Sequence, residues 1–147
     1  MASSSGFQLT AGRIPGEQIA LNTETTDSSN WTTTETQTDA VTAPLVIGRT
    51  YRIRYFGGVV STVANDVALI RIRENNTSGT ALAERNFSIP STSSGGYACA
   101  LEARYTALAT ANKTFVATGV RNGGTGTHHA DGTTVRTRLL YVEYISG

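Results

Sequence analysis

Two runs of strictly alternating residues within Gly48–Glu74 constrain the fold of this chain more than any other feature. The first run, GRTYRIRYFGG, sets two tyrosines and an isoleucine against arginines, and the second, NDVALIRIRE, repeats the same Arg-Ile-Arg triplet. Because successive side chains on a strand face opposite sides of a sheet, each run predicts a half-buried strand. Gly57-Gly58 and Asn65-Asp66 are interpreted as the link between them. We expect the remaining strands to pack against this pair.

The rest of the chain also favours strands. The turn sequence NNTSG at Asn75–Gly79 predicts a hairpin between Val67–Glu74 and Thr80–Phe87. Pro44 argues against a central position for its strand, because proline cannot donate to the hydrogen-bond ladder. A helix is the alternative for Tyr97–Ala111, which is alanine-rich but lacks capping residues. The further strand candidates are Glu17–Asn22, Thr32–Thr38, Ala40–Ile47, Tyr97–Tyr105, Lys113–Arg121 and Val135–Ile145.

Short strands at regular spacing predict an all-β fold, an antiparallel β-sandwich of jelly-roll type. The last strand candidate, Val135–Ile145, is apolar on both sides after Arg138. A strand with two apolar sides lies between two covered surfaces. The second surface is either the interior of the sandwich or a subunit interface.

A chain of 147 residues forms one domain and needs neither a disulfide nor a structural metal. We assign residues 17–147 to the sandwich and residues 1–16 to an extended N-terminal arm that ends in a Pro-Gly turn. Exposed termini become ordered only when they are tied down, so the arm is a candidate anchor for a partner. Its candidate contact residues are Phe7, Leu9, Arg13 and Ile14.

Charge and hydropathy argue against two classes of partner. Twelve basic and eleven acidic residues give a formal net charge of +1, so we expect no nucleic acid and no anionic membrane. The segment MASSSGFQLT lacks the features of a secretory signal, and we expect a soluble protein made in the cytoplasm. Cys99 is the only cysteine, and its neighbours predict a small buried thiol.

Three Arg-x-Arg pairs are the candidate contact residues of the sandwich itself. Each pair is expected to place two guanidinium groups on one face of one strand. On neighbouring strands these charges would repel unless carboxylates such as Glu74, Glu84, Glu102 or Glu143 lie between them. A solvated, salt-bridged face and a contact surface for an acidic partner or a symmetry mate both remain open. The pairs are Arg52 with Arg54, Arg71 with Arg73, and Arg136 with Arg138.

No catalytic or cofactor constellation is recognisable in the sequence. His128-His129-Ala130-Asp131 is the only cluster in the sequence that could bind a metal, but its two adjacent histidines would point to opposite sides of an extended chain and could not easily bind one ion. We interpret both as loop residues of the Gly-rich stretch Asn122–Gly132. No activated serine motif is present, and no two carboxylates can be paired as acid and base. We therefore predict a protein that is not an enzyme, without catalytic residues, metal or cofactor. The aromatic candidates for sugar binding are Trp31, Tyr51, Tyr55 and Tyr97, and alternation with polar residues favours core packing for all of them except Trp31.

Three longer stretches carry a family resemblance: AGRIPGEQIA at Ala11–Ala20, TAPLVIGRTYRIRY at Thr42–Tyr55 and ALIRIRENNTSGTAL at Ala68–Leu82. Together they resemble small structural proteins encoded by tailed bacteriophages of actinobacteria, and the middle stretch is the most specific. The resemblance implies a virion component, such as a head decoration protein or a minor tail protein, and assigns no catalytic residues. The arrangement is also similar to trimeric jelly rolls of the tumour-necrosis-factor type.

These observations lead to one hypothesis and one alternative. The hypothesis is a capsid decoration protein that binds the major capsid protein on the outside of a phage head as a homotrimer, with residues 1–16 as its anchor. The alternative is a minor tail or receptor-binding module that recognises a host surface glycan. It predicts exposed aromatic side chains near Trp31 or residues 122–132. An enzyme would need a metal at His128 and His129.

Overall fold

The computed structural model describes residues 14–92 and 96–147, and these residues form nine strands and no helix. Within them, accordingly, no helix has the length and apolar character needed to cross a bilayer. The strands are β1 (Gln18–Glu24), β2 (Thr36–Leu45), β3 (Thr50–Ser61), β4 (Asp66–Glu74), β5 (Ala81–Ile89), β6 (Tyr97–Thr106), β7 (Ala111–Gly123), β8 (His128–Asp131) and β9 (Arg138–Ser146).

The strand pairing is that of a rolled antiparallel ribbon. Strand β1 pairs with β9, β2 with β7, β3 with β6, and β4 with β5. Further pairing of β3 with β9 and of β4 with β7 joins the turns of the ribbon. The result is a first sheet of order β1-β9-β3-β6, with β8 beside β3, and a second sheet of order β2-β7-β4-β5. This is the double-sheet jelly roll, so the predicted fold class is confirmed.

The core lies between the two sheets and is built by alternation. On β3, Tyr51, Ile53 and Tyr55 are buried, while the arginines between them point outward. On β4, Ala68, Ile70 and Ile72 do the same from the opposite sheet. Both alternating runs are therefore half-buried strands, as predicted. The main core cluster is completed from the other strands by Val41, Leu45, Leu101, Phe115, Leu140 and Val142.

The two central strands do not pair with each other. Strand β3 belongs to the first sheet and β4 to the second. Gly57 and Gly58 lie inside β3, opposite Cys99 and Ala98 of β6, and do not form a link. The chain turns instead at residues 62–65, where Asn65 adopts a φ of 63°. An asparagine tolerates this left-handed conformation better than most residues.

Most of the other strand predictions are confirmed with shifted ends. Strand β2 is an edge strand, as Pro44 requires, and it joins the end of the Thr-rich stretch to Ala40–Ile47 in one strand. The β4–β5 hairpin forms around Asn75–Gly79. The helical alternative for Tyr97–Ala111 is wrong, because β6 continues to Thr106 and pairs with β3 along its length.

Trp31 is a core residue, which corrects its interpretation as an exception to core packing. Only 2% of it is exposed, and it forms an isolated bridge with His128. The indole packs against Gly119 of β7, where a Cβ atom would lie 2.6 Å from the ring. The missing side chain at Gly119 thus makes the space for Trp31, and the loop between β1 and β2 closes one end of the sandwich.

Candidate functional site

The outward side of the first sheet carries apolar side chains on its central strands. Leu139 and Tyr141 of β9 point away from the core, between Leu21 of β1 and Phe56 of β3. Leu21 is 49% exposed and Phe56 is 39% exposed. The rings of Phe56 and Tyr141 lie 6.1 Å apart and nearly parallel. We call this surface the β9 face, defined by Leu21, Phe56, Leu139 and Tyr141.

Ion pairs border the β9 face. The guanidinium of Arg52 lies 2.7 Å from the carboxylate of Glu143, and that of Arg54 lies 2.8 Å from Glu102. The two carboxylates come from β9 and β6, on either side of β3. Glu102 and Glu143, two of the four carboxylates suggested from the sequence, thus neutralise these arginines. The β9 face is therefore bordered by charges of both signs.

The second arginine pair lies on the opposite side of the molecule. Arg71 and Arg73 of β4 both donate to Glu35, at 2.8 and 2.7 Å, and Arg71 also pairs with Glu84 at 2.8 Å. Thr118 donates its hydroxyl to Glu35 at 2.5 Å. Burial alone would raise the pKa of Glu35, but the bonds from Arg73 and Thr118 and the charge of Arg71 outweigh it and lower that pKa. This network covers the outward side of the second sheet.

The third pair does not share a face. Arg138 is 2% exposed and reaches from β9 to Asp39 of β2, with both carboxylate oxygens 3.2 Å from its Nε. Arg136 precedes β9, is partly exposed, and pairs with Asp131 at 2.7 Å. The expectation of two guanidinium groups on one strand face is wrong here, because β9 begins only at Arg138. Arg138 holds the two sheets together from the inside.

The stretch interpreted as a His-containing loop forms strand β8, which corrects that prediction. His128 is fully buried, with its Nε2 atom 3.2 Å from Asp66 and its ring 4.8 Å from Trp31. Neither ring nitrogen makes a hydrogen bond. The two histidines do point to opposite sides, because His129 faces outward, 3.6 Å from Asp27. They cannot bind one ion together.

Ser61, Asp66 and His128 meet in the interior, but their arrangement is not that of a catalytic triad. The hydroxyl of Ser61 donates to Asp66 at 2.8 Å and not to the imidazole, so no base activates it. All three residues are at most 1% exposed. Burial alone would raise the pKa of Asp66, but bonds from the Ser61 hydroxyl and two backbone N–H groups outweigh it and lower that pKa.

A cleft of about 740 Å³ opens beside the outward side of β8. Its lining brings Asp27, His129 and Asp131 together, with one donor atom of each within 4.8 Å of the others. Threonine side chains and Arg136 complete much of the wall. The sequence offered one signal for this cluster, since His129 and Asp131 are two apart on a strand. It offered none for Asp27, which arrives from the loop after β1.

The remaining candidates divide between described and undescribed parts of the chain. Ile14 is 51% exposed, at the first described position. Phe7, Leu9 and Arg13 lie outside the described residues. Cys99 is buried as predicted, and burial raises the pKa of its thiol to about 12.

No protein-family model matches this chain, and no curated protein sequence matches it. Solved structures are similar to it at low identity. The insecticidal delta-endotoxin Cry8Ea1 of Bacillus thuringiensis is 12% identical over 89% of this chain and 20% of its own, with a TM-score of 0.44. The CBM22-1 xylan-binding domain of Paenibacillus barcinonensis Xyn10C is 6% identical over 90% of this chain and 97% of its own, with a TM-score of 0.41.

A viral protein is also among these structures. The VP2 subviral particle of infectious bursal disease virus is 11% identical over 86% of this chain and 37% of its own, with a TM-score of 0.42. The chain spans 63% of a CBM4 structure and smaller fractions of the endotoxin and capsid chains. At these identities and TM-scores the likenesses carry no conclusion about function.

Proposed function

We propose that this chain is a virion structural protein, a capsid decoration protein that binds the major capsid protein as a homotrimer and stabilises the shell. The β9 face is the observation that carries this proposal. It places the exposed Phe56 and the half-buried Leu139 and Tyr141 on the central strands of a sheet, beside the exposed Leu21 of the edge strand β1. A monomer normally presents polar side chains at such central positions. The described residues contain no helix or further strand that covers it.

A second copy of the same chain is the occupant that the charges of the β9 face favour. Arg52 and Arg54 alternate with Glu102 and Glu143 along its border. A surface that carries both signs can meet a neighbouring copy with opposite charges opposed, and in a ring of three copies this contact joins two different surfaces of the chain. The near-zero net charge of the chain adds no repulsion between copies. The arm of residues 1–16 then remains to contact the shell.

The oligomeric state tests the interface. Leu21→Asp puts a charge into the β9 face and should convert the trimer to monomer in light scattering coupled to size exclusion. Leu108→Asp is the matched control, because Leu108 is exposed in the loop between β6 and β7 and should leave the mass unchanged. Arg52→Ser combined with Arg54→Ser should weaken the trimer while leaving folding intact. A wild-type monomer at high concentration would defeat the proposal.

The location of the protein on intact particles tests the decoration role. Gold-labelled protein should decorate the heads of phage particles in electron micrographs, in a regular array. Label confined to the tail would contradict a capsid role and support the alternative of a minor tail or receptor-binding module.

The glycan-binding alternative is favoured by one observation, the exposed Phe56 beside Tyr141. Trp31 itself offers no surface for a sugar ring, because it is buried. If this alternative holds, cell-wall polysaccharide should retain the chain on a column, and Phe56→Ala should abolish that retention without changing the mass of the oligomer. A decoration protein shows no such retention.

A further inference from the structure

The cluster Asp27, His129 and Asp131 has the composition of a metal site, and no established or proposed role uses it. His129 and Asp131 project from the same side of β8, and Asp27 approaches them from the loop after β1. The donor atoms lie within 4.8 Å of one another. The Nε2 atom of His129 is 3.6 Å from Asp27, which is too long for a hydrogen bond. The imidazole and the carboxylate therefore face each other across a gap.

Two of these donors are already held in place by their neighbours. The backbone N–H of Gly132 donates to Oδ1 of Asp27 at 2.9 Å, which leaves Oδ2 facing His129. Asp131 accepts from Nε of Arg136 at 2.7 Å and is 5% exposed. Such outer contacts orient ligands before an ion arrives and are typical of metal sites. The adjoining cleft gives an ion and its water ligands access from solvent.

We propose that Asp27, His129 and Asp131 bind a divalent transition-metal ion of the Zn²⁺ type. One imidazole nitrogen and two carboxylate oxygens are ligands that Zn²⁺ accepts, and they leave its fourth position for water. Ca²⁺ and Mg²⁺ prefer oxygen ligands alone, so the imidazole disfavours them. The ion would bind the loop after β1 to β8 and reinforce one end of the sandwich. The proposal is independent of the β9 face, which lies elsewhere on the first sheet.

Arg136 competes with the ion. Its guanidinium occupies Oδ2 of Asp131, and its positive charge lies close to where the ion would sit. The side chain of Arg136 is 45% exposed, and a bound ion has to displace its guanidinium from Asp131. A variant that removes this charge should therefore bind the ion more tightly than the wild type. A purely structural cluster has no reason to respond in this way.

The test is a calorimetric titration of the untagged, chelator-treated chain with ZnCl₂. The wild type should bind one Zn²⁺ per chain, and its melting temperature should rise with added Zn²⁺. His129→Gln and Asp27→Asn should each weaken binding by at least about tenfold, and Arg136→Gln should strengthen it. Glu84→Gln removes an exposed carboxylate on the other sheet and should bind like the wild type.

Three outcomes would overturn the assignment. The first is no heat of binding and no shift in melting temperature at millimolar Zn²⁺. The second is equal Zn²⁺ affinity in the wild type, His129→Gln and Asp27→Asn. The third is a response to CaCl₂ or MgCl₂ without one to ZnCl₂. Because all three proposed ligands belong to one chain, these readouts test the metal site whether or not the chain trimerises or binds a capsid.

Discussion

Arg138 is a buried cation that joins the two sheets at a single point. Besides Asp39, it donates to backbone carbonyls of Thr26, Ala130 and Thr38, which belong to three different segments. Burial raises the pKa of Asp39, and the guanidinium opposes that rise by stabilising the charged carboxylate. The pair is therefore stable only as a pair, because either charge left alone in the interior would be uncompensated.

Replacing Arg138 should destabilise the fold severely. Arg138→Met leaves Asp39 buried without a counter-charge and should lower the free energy of unfolding by about 3–5 kcal/mol in urea titrations. Arg85→Met, on the exposed edge strand β5, is the matched control and should change it by less than about 0.5 kcal/mol. Adding Asp39→Leu to Arg138→Met should recover much of the loss. Equal losses in the free energy of unfolding for Arg138→Met and Arg85→Met would contradict this account.

His128 should make the stability of the protein depend on pH near neutrality. Burial lowers its pKa, while the nearby carboxylate of Asp66 opposes that effect and Arg121 adds to it. The unfolded chain binds the proton at about pH 6.5, where the folded chain still excludes it. Stability is therefore complete above that pH and is lost as the pH falls, by up to about 1.4 kcal/mol per pH unit.

Urea midpoints between about pH 7.5 and 5 measure this dependence, in a window above the usual range of carboxylates. The wild type should lose stability across it, and His128→Gln should show a flatter profile whatever its absolute stability. A slope that survives unchanged in His128→Gln would contradict the assignment of this proton to His128.

Glu35 attaches the long loop between β1 and β2 to the second sheet. It lies immediately before β2 and accepts three hydrogen bonds from Arg71 and Arg73. Glu35→Gln should lower the free energy of unfolding by about 1–3 kcal/mol, because two arginines lose a charged acceptor. Glu84→Gln removes a partner that is 58% exposed and should cost less than about 1 kcal/mol. Chemical denaturation of both variants side by side measures the two costs, and an equal cost would contradict this account.

Alternation along the strands was enough to predict most elements, because a two-residue period assigns each side chain to a face. It placed Tyr51, Ile53 and Tyr55 in the core correctly. It could not assign a strand to a sheet, since the period is the same in both, and so it gave no sign that β3 and β4 lie in different sheets. The arginine partners show the same limit. Glu102 and Glu143 lie on neighbouring strands, whereas Glu35 reaches Arg73 from a loop without periodicity.

The two candidate sites differ in the same way: a local sequence pattern indicates the β9 face, whereas the cleft beside β8 depends on contacts between distant segments. The sequence indicates the β9 face, because Val135–Ile145 has two apolar sides and a two-residue period shows which sides of a strand are apolar. The cleft beside β8 was not foreseen. Asp27 and His129 meet only because the loop after β1 folds over a strand whose histidines alternate between core and solvent. Buried Trp31 was missed for the same reason, since the room for it is made by Gly119 on a distant strand.

The jelly-roll topology makes the first strand, β1, and the last strand, β9, depend on each other. Strand β1 is an edge strand of the first sheet, and its neighbour β9 is the last strand in the sequence. Their pairing is extended by Gly16 and Glu17, which exchange backbone hydrogen bonds with Tyr144. Contacts between chain ends close the longest loop and are costly to form, so this pairing is expected late in a slow folding reaction.

Truncation from the N-terminus should separate the anchor from the fold. A chain lacking residues 1–16 keeps all of β1 and should unfold cooperatively in urea like the full chain, while losing its binding to phage heads in sedimentation. A chain lacking residues 1–24 also loses β1, which exposes the backbone edge of β9 and uncovers part of the core beneath Ile19 and Ala20. That chain should aggregate or remain unfolded. Retained head binding by the shorter truncation would refute the anchor, and a stable, monomeric product of the longer one would refute the dependence of β9 on β1.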